Sequence, residues 1–99
     1  MYKTFEVMKE NGMVIRGRHY IAEKETDRMI LCHGFTASME ETEKYSERLV
    51  SMGISTWIFD FCGGGFHTIS DGDFHTYMTP LTEVGDLTEV VEYVLHEEN

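Results

Sequence analysis

Three adjacent residues offer chemistry in this chain: His33, Gly34 and Phe35. They close the apolar run Met29-Ile30-Leu31-Cys32 and lead into a polar segment with the character of a helix start. A buried parallel strand delivers a turn to the rim of an open sheet in this way, and ligands of such sheets bind at that rim. Gly34 lets the backbone bend and approach a ligand that a Cβ would hold off. The main-chain N–H of Phe35 can then be aimed at a negative oxygen. The turn can stabilise an oxyanion; it cannot generate one.

The elements that position this turn follow from patterning. Tyr2, Thr4, Val7 and Met8 are interleaved with Lys3, Glu6 and Lys9, and Asn11-Gly12 supplies a strong hairpin signal before a returning strand to Ile21. The pattern predicts an antiparallel hairpin over 1–22, a strand over 28–33, a helix over 38–52 and a strand over 55–61. A loop over 62–79 and a helix over 80–97 complete the chain. Ser38 and Glu41 fit a capping box at the first helix, and Gly53 fits its C-terminal stop. Tyr45, Leu49 and Met52 share one face of that helix. Thr79-Pro80 opens the last helix, where Glu83 and Asp86 suit the positive end. Leu81, Val84, Leu87, Val91, Val94 and Leu95 make its apolar stripe. The order hairpin, β-α-β, α defines an α/β domain with a right-handed crossover.

Ninety-nine residues, 41% of them hydrophobic, make one domain with a modest core. The formal net charge of −10 sets the surface against phosphate backbones and anionic membranes. No apolar run approaches the ~20 residues of a membrane span. Nor does the start, Met-Tyr-Lys-Thr-Phe, resemble a signal peptide. A cytoplasmic protein that binds neither nucleic acid nor membrane is the expectation.

Other chemistries are weaker. Gly63-Gly64-Gly65 follows a strand, but Thr68 breaks the phosphate-binding G-x-G-x-x-G pattern, so a flexible loop is expected. Cys32 and Cys62 end neighbouring strands and are expected to be buried free thiols. A Cys32 nucleophile beside His33 is disfavoured, because successive strand residues face opposite sides. His67, His75, Asp71 and Asp73 fit no zinc or calcium spacing. No metal and no cofactor are expected.

The stretches Ile30 to Thr36, Phe59-Asp60-Phe61-Cys62-Gly63-Gly64-Gly65 and Ser70-Asp71-Gly72-Asp73-Phe74 resemble the N-terminal half of an α/β-hydrolase. Within that superfamily the chain is similar to small bacterial esterases of the feruloyl (cinnamoyl) type. These carry His-Gly-Phe after the third strand and Asp-Phe-Arg-Gly-His-Gly-x-Ser after the fourth. The resemblance implies that the Phe35 N–H is one of two oxyanion-hole donors, with His33 and Gly34 shaping the turn. The family's Arg and His in the second stretch are Cys62 and Gly64 here. No Gly-x-Ser-x-Gly occurs in the sequence. The resemblance therefore implies that nucleophile, acid and base lie in a C-terminal half outside these residues, and that an ester is bound only when that half is supplied. Without further strands, residues 29–32 form an apolar sheet edge, which predicts a homodimer or a complementing chain there. The alternative function is a non-catalytic assembly or binding module.

Overall fold

The computed structural model describes residues 2–33, 38–62, 70–71 and 80–97. Gly34, Phe35, Gly63, Gly64, Gly65, His67, Asp73, His75 and Thr79 lie outside the described residues.

Alternation in the first segment builds β1 (Tyr2–Met8), which runs antiparallel to β2 (Val14–Tyr20). The turn between them is closed by Lys9 and Met13 and passes through Gly12 at φ +86, a backbone region that favours glycine. Phe5 and Val7 are the inward residues of β1, whereas Met8 is 73% exposed. After this hairpin, β3 (Asp27–Leu31), α1 (Glu40–Ser51), β4 (Ile54–Phe59) and α2 (Pro80–Glu97) follow in chain order. The sheet order is β1-β2-β4-β3, with β2 antiparallel and β3 parallel to β4.

The sheet packs a core on each face. Trp57, Phe59, Phe5, Val7 and Ile15 meet Val90 and Val94 of α2 on one side. Tyr20 and Ile58 meet Met39 and Val50, which flank and belong to α1, on the other. Alternation along β4, 57 and 59 against 58, sends its side chains into both layers.

Three sequence expectations are corrected. Tyr45 and Met52 are exposed at 54% and 65%, while Thr42 and Ser46 are the buried face of α1. Small side chains let the helix sit close to β4, and their hydroxyls donate back to the carbonyls of Met39 and Thr42. In α2, Val84, Val91 and Leu95 are exposed; the buried line is Asp86, Val90, Val94, spaced by four. Cys62 is buried but Cys32 is exposed, because it follows β3 at the open edge of the sheet.

Ser70 and Asp71 occupy the strip beside β2 that β4 vacates. The Asp60 N–H reaches the Arg16 carbonyl at 3.1 Å, and beyond it Asp71 exchanges backbone and carboxylate bonds with Val14. Arg16 donates its backbone N–H to the Ser70 hydroxyl at 2.8 Å and its guanidinium to Asp71 at 2.7 Å. The Arg16 guanidinium, then the Val14 N–H, hold the Asp71 carboxyl below the ordinary carboxylate range. A depressed folded pKa stabilises above the unfolded-state value of ~4, and that contribution is lost as pH falls through the folded value. Asp71→Asn should therefore lower the urea midpoint at pH 7 and leave it nearly unchanged at pH 2. Equal loss at both pH values would contradict the ion pair's role.

Candidate functional site

Because β3 and β4 run parallel, the segments leaving them emerge at the same rim of the sheet. Asp60, Phe61 and Cys62 leave β4 there, and each is fixed by a different element. The Asp60 carboxylate accepts the Met39 N–H at 2.6 Å, at the start of α1. The Phe61 N–H donates to Nε2 of His33 at 3.1 Å. The Cys62 N–H donates to the carboxylate of Asp86 in α2 at 2.7 Å.

The first contact replaces the expected capping box. Met39 is the N-cap of α1, no side-chain cap bond is made, and the Ser38 carbonyl accepts the Glu41 N–H at 3.1 Å. A carboxylate from the end of β4 does the work assigned to Ser38, and its charge suits the positive end of the helix. No local spacing signals it, since the partners are 21 residues apart. Asp60 is buried, so Asp60→Ala removes the cap and leaves a buried N–H without its acceptor. The expected loss is about 2 kcal/mol, read from the urea midpoint. A midpoint equal to that of the parent would contradict the cap.

His33 is buried, its ring edge-on to Phe61 with centroids 5.0 Å apart. Nε2 accepts a backbone N–H, so the ring proton sits on Nδ1. The residue that opens the predicted turn is thus held against the first residues after β4. Gly34 and Phe35, the bend and the donor, lie outside the described residues.

Asp86, which the sequence places toward the positive end of α2, is fully buried and paired with Lys9 at 2.6 Å. Burial alone would lower the Lys9 pKa, but the hydrogen bond and charge of Asp86 outweigh it and raise the amine. Neither partner carried a sequence signal, because the two are 77 positions apart.

Thiol chemistry finds no support in the surroundings of either cysteine. Burial, and then the charge of Asp86, push the Cys62 thiol up to about 12. Partial desolvation, and then the charge of Glu83, also raise the thiol of Cys32. Both shifts oppose the thiolate that acts as a nucleophile. Among the described residues no group of three His, Cys, Asp or Glu is placed to hold a metal ion. Among them, too, no helix is long and apolar enough to cross a membrane.

Solved structures share this fold. DcsB, determined in complex with its substrate analogue, is 27% identical over 97% of this chain, with a TM-score of 0.82. Est1E from Butyrivibrio proteoclasticus, determined with ferulic acid bound, is 25% identical over 97% of the chain, with a TM-score of 0.76. The esterase Pf2001 of Pyrococcus furiosus has the same fold at 24% identity, over 98% of the chain, with a TM-score of 0.75. The fold is a partial α/β-hydrolase. This chain spans 32% of DcsB and 37% of each of the two esterases. The shared portion is thus nearer a third of those hydrolases than the half that the motifs imply. Neither a protein-family model nor a curated protein matches the sequence.

Proposed function

We propose that this chain is the portion of a carboxylic-ester hydrolase that presents the oxyanion turn. The Phe35 N–H is one donor to the oxygen that becomes negative when an ester carbonyl is attacked. The second donor, the nucleophile, the acid and the base belong to polypeptide outside these 99 residues. The observation that carries the reading is the triple anchoring of Asp60-Phe61-Cys62, which ties the rim after β4 to His33 at the mouth of the turn. Such a rim is stiff before substrate arrives, as electrostatic stabilisation requires.

The test is hydrolysis of p-nitrophenyl butyrate by the 99-residue protein, and by a chimera joining it to the remaining two thirds of the Butyrivibrio esterase. The chain alone should give only background and the chimera should turn over. A chimera with a cooperative melt and no turnover would sink the reading.

The sheet edge favours a second reading, a non-catalytic assembly module. Among the described residues β3 has a neighbour on one side alone, and Met29 is exposed on it. Beside it, Arg28, Met29, Ile30, Trp57, Val91, Val94 and Leu95 line an apolar groove of about 240 Å³. An open apolar edge invites pairing with another chain. In the absence of complementing polypeptide the protein should self-associate, and Met29→Lys should weaken that association. Light scattering at micromolar concentration decides; a monodisperse monomer would contradict the edge's role. A stable homo-oligomer with no complementing hydrolase would favour assembly over catalysis.

A further inference from the structure

We infer that Asp86 is a positioning residue for the His33 turn, acting through the backbone of Cys62 and Phe61. The inference rests on the oxyanion reading for its purpose, but its geometry stands without it. Asp86 lies on the line of α2 that also contains Val90 and Val94, and it is as buried as they are. An apolar residue there would stabilise the core at least as well, since a buried ion pair gains little net free energy. The carboxylate is explained by what its oxygens hold. Oδ1 takes the Lys9 amine at 2.6 Å, which neutralises it, and Oδ2 takes the Cys62 N–H at 2.7 Å.

The adjacent N–H, that of Phe61, points to Nε2 of His33 at 3.1 Å. Two consecutive amides share the Phe61 backbone, so fixing one restricts the rotation available to the other. Asp86 therefore sets the direction of the Phe61 N–H, and that N–H sets the orientation and tautomer of His33. His33 immediately precedes Gly34. Lys9 holds the Asp86 carboxyl in place beside the Cys62 amide. The whole path runs from α2 to the turn in two hydrogen bonds.

The test follows amide hydrogen exchange and histidine ring nitrogens by NMR on the full 99-residue chain, with Asp86→Ala, Asp86→Asn and Lys9→Met. In the parent, the Phe61 and Cys62 amides are protected and His33 carries its proton on Nδ1. Asp86→Ala should speed exchange at those two amides about tenfold or more relative to Ile15, and let His33 sample both tautomers. Asp86→Asn retains a carbonyl oxygen for the Cys62 N–H and should restore protection and tautomer, which a general loss of core stability would not. Lys9→Met should give a smaller effect than Asp86→Ala. If Asp86→Ala does not fold, the asparagine variant decides: parental signatures at Phe61 and His33 support the inference, and their loss overturns it. Unchanged exchange in a folded Asp86→Ala also overturns it. These readouts need no turnover, so a failed esterase assay leaves them standing, and their failure leaves the esterase assay standing.

Discussion

Gly17→Ala is expected to cost about 3 kcal/mol, a large part of what holds a domain of this size together. Glycine-to-alanine changes commonly stabilise a protein by reducing the freedom of the unfolded chain. Here the sign reverses. A Cβ at position 17 would lie 2.2 Å from the carbonyl oxygen of Ile58 and 2.7 Å from Cε1 of Phe5. The first of these atoms is backbone, in the strand that joins the two halves of the sheet, and it has no rotamer to escape into. The second belongs to Phe5, whose ring covers Gly17 from the directly paired position on β1. Both neighbours are committed, so the strands must part. Urea unfolding should show a lower midpoint with an unchanged slope. Gly85→Ala is the control: nothing lies within 4 Å of its Cβ, and it sits inside α2. There the change should stabilise by about 0.5–1 kcal/mol. A Gly17→Ala protein as stable as its parent would show that β2 and β4 are not packed as described.

How far these features were legible in the sequence depended on range. Local grammar carried the elements and their order. Asn11-Gly12 turned the hairpin, Gly53 stopped α1 with φ +90, and Pro80 began α2. Periodicity also identified which residues are apolar, but not which side of a helix finds a partner. Val84, Val91 and Leu95 stay exposed, the last two beside the open edge of β3. Tyr45, Leu49 and Met52 likewise share a face of α1, yet Thr42 and Ser46 are the buried residues, because closeness to β4 favours small side chains.

The polar anchors were invisible for a different reason. Asp60 and Asp86 look like ordinary surface carboxylates in a chain with 18 acidic residues. Their roles as helix cap and loop anchor appear only when partners far apart in sequence are brought together by the fold. The candidate turn was read from His33-Gly34-Phe35 and its likeness to a family, and the anchoring of its first residue had no sequence signal at all. Burial of a charge is decided by tertiary context, and patterning carries only the average preference for exposure.

Phe35→Pro carries the largest expected effect on function. Proline has no backbone N–H, so the change deletes the proposed donor while keeping an apolar residue. Charge on the carbonyl oxygen develops in the transition state, so the loss should fall on kcat and spare KM. In the esterase chimera the expected drop in kcat is ~100-fold, the usual consequence of losing one oxyanion-hole donor. Phe35→Ala keeps the N–H and separates the donor from the aromatic ring; it should retain kcat within a few-fold.

The measurement that bears most directly on the account is therefore p-nitrophenyl butyrate hydrolysis by four proteins. They are the 99-residue chain, the chimera, and the chimera with Phe35→Pro or Phe35→Ala. The account predicts background for the chain alone, turnover for the chimera, a kcat ~100-fold lower for the proline variant and near-parental kcat for alanine. Turnover by the chain alone, or a proline variant as fast as its parent, would contradict it.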